Sequence, residues 1–351
     1  MFTQTLTQRV LRSPLVDLLT GPHGVDRYTE LVEPTWSAGD ARAKVIAVRR
    51  QTPRSVTLML EPNRVFTGFS AGQHINLTVE IDGRRRTRPY SPASAEGHPY
   101  LELTIGRHEG GLVSTYLNDH ARPGMVVGLD SVGGDFVLPT VRPRRILFVS
   151  GGSGITPVMS MMRTLRAEAF DGEVAFIHYA RTPAEACYRD ELAAMSGVRV
   201  LHGYTRSDSE AGLAGHFGPH HLSAAMPAPD AVFACGPPAL VEAVREQCAN
   251  VSSESFVPPA FPVAIETSGG RLTFTDANVG IEDDGRPILE QAEAAGLNPE
   301  SGCRMGICHS CTRRKTRGAV KNLITGAVSS ADDEDVQICV SAAVGDVDIA
   351  L

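Results

Sequence analysis

The sequence predicts a multidomain protein: an antiparallel β-barrel, then an α/β doubly wound domain, then a smaller α+β module. Three observations carry that expectation. Short segments of alternating apolar and polar residues run from Ala41 to about Pro139, as half-buried strands do. Continuous apolar runs then alternate with helical stretches, the signature of a parallel sheet with crossover helices. A Ser/Pro-rich stretch precedes a last segment that holds four of the seven cysteines. With 351 residues and 42% hydrophobic content, the chain suits two or three domains of about 100–150 residues, each with its own core.

Residues 1–40 read as an extension. Leu6, Val10, Leu11, Leu15, Leu18 and Leu19 make an irregular helical stripe that Gly21-Pro22 closes. A helix packed on its own protein is preferred over a docking element for a membrane partner. Residues 41–140 form the barrel: Lys44–Arg49, Ser55–Leu60, His74–Ile81 and Tyr100–Gly106 alternate between turn signals such as Asp82-Gly83. Residues 141–251 form the α/β domain. Its strands are Arg145–Ser150, Val174–Tyr179, Val198–His202 and Ala231–Ala234, and its helices Pro157–Ala169, Ala184–Met195 and Pro238–Gln247. Residues 252–261 are a Ser/Pro-rich linker. Residues 262–351 are the last module, with β segments Pro262–Thr267 and Arg271–Thr275 and a helix Ile288–Ala295.

Composition excludes some classes. A net charge of −7 without a basic face argues against a nucleic-acid partner. No apolar run reaches the roughly eighteen residues that a transmembrane segment needs. The N-terminus has no signal-peptide pattern, so a cytoplasmic protein is expected, peripheral at a membrane only through its partner. An odd cysteine count, with four at metal-ligand spacing, fits a reducing compartment and not a disulfide framework.

Cys303, Cys308 and Cys311 are spaced C-x4-C-x2-C, and Cys339 follows. Thiolates are the soft ligands an iron–sulfur cluster needs, and this is the plant-type [2Fe–2S] spacing. Gly302 and Gly306 let the loop approach a cluster closely. Zinc would call for paired C-x2-C knuckles, and only one is present. Ser301–Cys311 (SGCRMGICHSC) with Val336–Val340 resembles the plant-type ferredoxin module over residues 262–351, which implies a β-grasp fold. One departure is basic: Arg304, Arg313, Arg314, Lys315, Arg317 and Lys321 lie near the motif. A solvated face is the preferred reading, ahead of a docking surface for an acidic partner.

Arg88-Pro89-Tyr90-Ser91 supplies what a flavin requires: a cation for its phosphates, an aromatic to stack on its ring and a hydroxyl near its reactive edge. Gly111–Thr115 (GLVST) can begin a helix whose amides and Ser114 hydroxyl hold a phosphate. Gly151–Pro157 (GGSGITP) sits at a strand-to-helix turn suited to a pyrophosphate. Cys235-Gly236-Pro237 follows the strand Ala231–Ala234 at the edge where such folds bind ligands; the plain alternative for Cys235 is a buried small residue.

In this order the motifs resemble the ferredoxin–NADP+ reductase superfamily, over about residues 41–250. The resemblance implies an FAD-binding barrel, with FMN as the lesser choice, followed by a nicotinamide-nucleotide domain. It implies flavin contacts from Arg88, Tyr90, Ser91, Thr104, Ile105, Leu112, Val113, Ser114 and Thr156. Gly152, Gly154, Thr156 and Pro157 would line the nucleotide site, with Cys235 and Gly236 beside the nicotinamide. Tyr90, Ser91 and Cys235 would flank the hydride transfer. A 2′-phosphate needs a cation, for which Arg is best suited. Arg181 follows a strand, and Arg189 in YRDEL resembles a basic residue of NADP-dependent relatives. NADPH is therefore expected ahead of NADH. The alternative for Arg189 is an exposed charge paired with Glu185.

The expected activity is an electron-transfer reductase, from NAD(P)H through flavin and [2Fe–2S] cluster to a metalloenzyme. Leu18–Pro34 (LLTGPHGVDRYTELVEP) resembles the extension of actinobacterial-type reductases serving membrane fatty-acyl desaturases, so a di-iron desaturase is the first-choice acceptor. Rieske, alkane and haem-thiolate oxygenases are the alternatives, and a redox-sensing module the last. His216, His220 and His221 read as a solvated loop, not an oxygenase metal site.

Overall fold

The alternation that begins at Ala41 becomes six strands: β1 (Arg42–Thr52), β2 (Ser55–Pro62), β3 (His74–Ile81), β4 (Arg84–Tyr90), β5 (Leu101–Gly106) and β6 (Val126–Gly133). A computed structural model describes residues 33–37, 39–207, 212–256 and 269–351. The leucine stripe of the extension and the segment Pro262–Thr267 lie outside the described residues. The six strands pair in the order β4-β3-β6-β1-β2-β5. Val45, Leu58, Leu77, Leu103 and Leu129 from five of them share one core, and Tyr90 of β4 packs on it. A sheet whose two outer strands reach the same core has curled around it, as a barrel does. Helix α1 (Leu112–His120) covers this core with Val113 and Leu117. The central strand β6 is not legible in the sequence, because Gly128 and Gly133 dilute its alternation.

The second sheet contains β7 (Arg145–Gly151), β8 (Glu173–Ala180), β9 (Val198–Tyr204), β10 (Leu213–Ala214), β11 (Ala231–Cys235) and β12 (Val251–Glu254). Neighbouring strands pair in parallel, in the order β10-β9-β8-β7-β11-β12. Its helices are α2 (Ile155–Ala167), α3 (Arg189–Ala194), α4 (Pro219–Ala225) and α5 (Pro238–Gln247). Phe148, Phe176 and Phe233 face α2, where Val158, Met159 and Met162 complete a core. Leu147, Ile177 and Val232 face the opposite layer with Ala225 and Val244. Both sheet faces are covered, which explains the continuous apolar runs.

Three expectations need correction here. The single helix Ala184–Met195 is broken: Pro183–Glu185 form one 3-10 turn, and α3 starts only at Arg189. Between them Tyr188 takes a left-handed backbone, φ 59°, with its ring buried; tertiary burial overrides helix propensity. Ser252–Glu254, expected from composition to be linker, form the outer strand β12 against β11. His216 is exposed in a bend as expected, but His220 and His221 lie on α4, where His220 is exposed and His221 is not. His221 is fully buried, with Nδ1 2.6 Å from Tyr179 Oη and Nε2 3.1 Å from the Ala214 carbonyl.

The first two sheets, apart from Thr87–Pro89, form one compact unit, and the C-terminal residues belong to a second. The second unit has β13 (Arg271–Phe274), β14 (Val279–Glu282), helix α6 (Ile288–Ala294), β15 (Thr312–Asn322), β16 (Val328–Ser329), β17 (Glu334–Gln337) and β18 (Ser341–Ile349). The sheet order is β14-β13-β18-β15-β16, with β17 on β15. Strands β13 and β18 run parallel, and the other described pairs are antiparallel. Ile288, Leu289 and Ala292 of α6 pack on Phe274, Val347 and Ile349, giving the α+β module expected.

Candidate functional site

The order of the second sheet reverses between β7 and β11. In open parallel sheets that switch point opens a crevice at the strands' carboxyl ends. Here it brings together two turns that lie about eighty residues apart in sequence, as the paired Ser150 and Cys235 show. A Cβ on Gly154 would lie 2.2 Å from the Cys235 carbonyl oxygen and 2.9 Å from the Gly236 nitrogen. The backbones are therefore in contact, and no side chain fits between them. Gly152 takes φ +57° and has open space where a Cβ would point. Beyond it α2 begins, thirteen residues long, with amides at its N-terminus that have no partner within the helix. Pro157 occupies the first turn, where its missing N–H costs nothing. Thr156 Oγ1 donates to the Ser153 carbonyl at 3.2 Å, which shapes the turn.

Tyr90 ends β4, and Ser91 follows it. The Ser91 hydroxyl is buried with no hydrogen-bond partner among the described residues. An orphaned hydroxyl of this kind is uncommon in native interiors and marks a place for a ligand atom. The other residues named for the flavin divide by where their side chains go. Thr104 hydroxyl bonds Thr57 Oγ1 at 2.7 Å and Tyr188 Oη at 2.5 Å. Ile105 and Val113 point into the barrel core, so only their backbone can meet a ligand. Leu112 is exposed. The Ser114 hydroxyl donates to the Gly111 carbonyl and accepts from the His108 amide, both at 3.2 Å. The Arg88 guanidinium donates to the carbonyl of Thr87 at 2.8 Å.

Cys235 is fully buried, and burial pushes its thiol well up. Its neighbour across the strands is Glu254, which sequence reasoning missed. The lone acid in the Ser-rich stretch 252–256 was the available signal. Glu254 lies 3.9 Å from His74 Nδ1, and burial pushes its carboxyl up to about 7. The folded state then holds a proton that the unfolded state has released between pH 4.5 and about 7. Stability should therefore fall as pH rises through that window and stay reduced above it. Glu254→Gln is expected to remove on the order of 2 kcal/mol of this decline between pH 5 and 8. Urea denaturation of the flavin-loaded protein at the two pH values measures it; equal declines in both proteins would rule Glu254 out as the source.

Arg189, at the start of α3, makes no ion pair with Glu185; it donates instead to the Pro183 carbonyl at 3.4 Å. Arg181 and Arg206 are joined by a backbone hydrogen bond of 2.9 Å where β8 and β9 end, and both side chains are exposed. The structure thus adds Arg206 to the two arginines named from sequence.

In the second unit the four thiols stand as two interacting pairs, Cys303 with Cys308 and Cys311 with Cys339, not as one closed set. Their mutual influence holds Cys308 down to about 5 and Cys311 to about 7, while Cys303 and Cys339 are pushed up. The amides of Met305, Ile307 and Cys308 donate to Cys303 Sγ at 3.3–3.4 Å, and that of Cys303 to Cys308 Sγ at 3.1 Å. A Cβ on Gly302 would lie 2.3 Å from Cys308 Sγ. Amides aimed at sulfur stabilise thiolate, and four buried thiols are the soft donors an iron–sulfur cluster takes. The donor set fits a [2Fe–2S] cluster.

Family models match the chain in three successive blocks. They are an oxidoreductase FAD-binding domain over residues 47–137, an oxidoreductase NAD-binding domain over 148–246 and a 2Fe-2S iron-sulfur cluster binding domain over 274–344. The NADPH oxidoreductase of Mycobacterium tuberculosis is 34% identical over 340 residues, covering 93% of this chain and 89% of that one. The chain belongs to the ferredoxin–NADP+ reductase superfamily. Within it, the glycine betaine monooxygenase reductase subunit of Pseudomonas aeruginosa is 29% identical, covering 89% of this chain and 96% of its own. The solved phthalate dioxygenase reductase, a modular structure for electron transfer from pyridine nucleotides to [2Fe–2S], has a TM-score of 0.57 at 25% identity, over 88% of this chain and 97% of that one.

This member of the superfamily is therefore an NAD(P)H-dependent oxidoreductase with FAD, nucleotide and [2Fe–2S] domains on one chain. No helix of the described residues is long and apolar enough to cross a membrane. The basic residues around its cluster loop are mostly matched: Arg304 with Glu293, Arg314 with Asp335 and Arg317 with Asp348. Lys315 is buried on Glu334 and the Gly318 carbonyl, and Arg313 donates to the carbonyls of Glu300, Ser310 and Thr312. These cations organise the module itself, which favours a structural face over an acid-binding one.

Proposed function

We propose that the chain is an NADPH-dependent reductase component that feeds a separate metalloenzyme, with a di-iron fatty-acyl desaturase as the acceptor. The observation that carries the reductase reading is the four-thiolate set in the same chain as a flavin barrel and a nucleotide crevice. Bound in these domains, the cofactors supply the chemistry: the nicotinamide delivers two electrons as hydride, and flavin and cluster release them singly. The protein supplies position. Tyr90, the orphaned Ser91 hydroxyl and the amides of Ile105, Val113 and α1 would hold the flavin. Gly152, Gly154 and the start of α2 hold the nucleotide pyrophosphate. Arg189, with Arg181, takes the 2′-phosphate. Cys303, Cys308, Cys311 and Cys339 would hold the [2Fe–2S] cluster.

The desaturase rests on the resemblance of residues 18–34. A second reading, an oxygenase as acceptor, is favoured by the relatives named as glycine betaine monooxygenase and stachydrine N-demethylase reductase subunits. Anaerobic titration with NADPH and NADH, followed by the visible spectrum, tests the donor. Flavin and cluster bands should both bleach, at lower NADPH than NADH. Arg189→Ala should raise the half-saturating NADPH about tenfold or more, the effect of removing one charge-assisted hydrogen bond, and leave NADH within twofold. Equal shifts would sink the 2′-phosphate role. Turnover with a purified di-iron acyl desaturase, set against a Rieske oxygenase component, decides the acceptor.

A further inference from the structure

A buried polar network ties the start of α3 to the flavin-side strand β5. Arg163 on α2 donates from Nε and Nη2 to the two carboxylate oxygens of Glu191 on α3, at 2.7 and 2.6 Å. Its Nη1 donates to the Ala93 carbonyl at 2.8 Å and to Glu102 Oε1 of β5 at 3.2 Å. The same guanidinium lies over the Tyr188 ring, 5.3 Å from its centroid. Tyr188 Oη and Thr104 Oγ1, also of β5, are 2.5 Å apart.

Arg163 and Tyr188 are each held by more than one partner. Arg163 is 19% exposed and Tyr188 4%, so their contacts act in a medium of low effective dielectric. Tyr188 also keeps a left-handed backbone, φ 59°. A bulky residue holds that conformation only where its surroundings over-determine it. The next residue is Arg189. The backbone of Tyr188 therefore sets the direction of Arg189, and the Tyr188 hydroxyl sets the position of that backbone relative to β5.

We infer that Tyr188, braced by Arg163, is a positioning residue that links the phosphate end of the nucleotide to the flavin-bearing strand, so that the 2′-phosphate of NADPH speeds hydride transfer as well as strengthening binding. This rests on the assignment of Arg189 to the 2′-phosphate. The reaction itself is unchanged: two electrons and one proton pass as hydride from the reduced nicotinamide, which leaves as the oxidised nucleotide, to the flavin. What the network adds is alignment. With the 2′-phosphate on Arg189, the nucleotide is registered against Tyr188 and hence against β5, and small displacements of a hydride donor cost rate steeply. Without that phosphate, NADH has no purchase on the strut.

The test is anaerobic stopped-flow bleaching of the flavin in the full, cofactor-loaded chain, with NADPH and with NADH at saturation. In the natural sequence the limiting rate with NADPH should exceed that with NADH. Tyr188→Phe removes the hydroxyl contact, and Arg163→Lys removes the planar fork that braces Tyr188 against Glu102 and Glu191. Each should lower the limiting NADPH rate about five- to tenfold, the effect of one hydrogen bond on a barrier. Half-saturation by NADPH and the limiting NADH rate should both stay within twofold. A purely structural role would lower both nucleotides' rates together or cost flavin content, and that outcome overturns the proposal. So does an unchanged NADPH rate in flavin-loaded Tyr188→Phe, or equal limiting rates for the two nucleotides in the natural sequence. If Tyr188→Phe does not retain flavin, Arg163→Lys decides. Failure of the Arg189 assignment is seen separately, as an Arg189→Ala protein whose half-saturating NADPH does not move.

Discussion

Cys308→Ser should abolish the cluster and leave the flavin reaction intact. Serine offers a hard hydroxyl where the cluster needs a soft thiolate, and Cys308 is the middle thiol of the C-x4-C-x2-C run. It also accepts the Cys303 amide at 3.1 Å, so the substitution disturbs the amide-to-sulfur bonds around its partner thiol. The barrel and the nucleotide crevice have cores of their own, separate from that of the cluster module. Iron and acid-labile sulfide should fall to background, and reduction of a one-electron protein acceptor such as cytochrome c should drop about a hundredfold or more, equivalent to about 3 kcal/mol on the barrier. Flavin content, bleaching by NADPH and ferricyanide reduction should stay within twofold. A variant that kept full iron and sulfide would sink the assignment of Cys308 as a ligand.

Gly154→Val should have the converse effect: cluster and flavin present, reduction of the flavin by NADPH slowed about a hundredfold. The first atom of any side chain there would lie 2.2 Å from the Cys235 carbonyl oxygen and 2.5 Å from its carbon. Backbone cannot yield as the tip of a flexible side chain can. The two turns at the β7–β11 switch point must separate, and the crevice between them loses its shape. Overpacking of this kind costs about 1–3 kcal/mol of stability, and a misplaced donor loses about a hundredfold in rate. Flavin bleaching by NADPH, followed by stopped flow beside a thermal unfolding curve, reads both. A protein that unfolds slightly earlier but is reduced at the natural rate would show that this contact is packing alone.

Some of this was legible because it is local. The ligand spacing of Cys303, Cys308 and Cys311 lies within nine residues, and soft-ligand chemistry reads it directly. The turn at Gly151–Pro157 is a continuous string between an apolar run and a helical one. Strand β7 and helix α2 flank it within two residues of their expected limits. Alternating and continuous apolar runs told the curled antiparallel sheet from the parallel one, since side-chain period reflects how many faces of a strand are covered.

Period and spacing are properties of neighbours in the chain, and what depends on them can be read before any fold is known: three modules in order, the cluster motif and the nucleotide turn. The rest depends on residues that are distant in sequence and adjacent in space. Glu254 gains its raised carboxyl only because β12 pairs beside Cys235 and His74 of the barrel approaches it. Tyr188 breaks a helix that its local sequence favours because burial against Arg163 and Thr104 outweighs helix propensity. Arg304, Arg314 and Arg317, a basic run by composition, are matched with Glu293, Asp335 and Asp348 once β15, β17 and β18 pair and the cluster loop nears α6. Burial and charge pairing are energies of the folded surroundings, and those surroundings exist only once the sheets have closed.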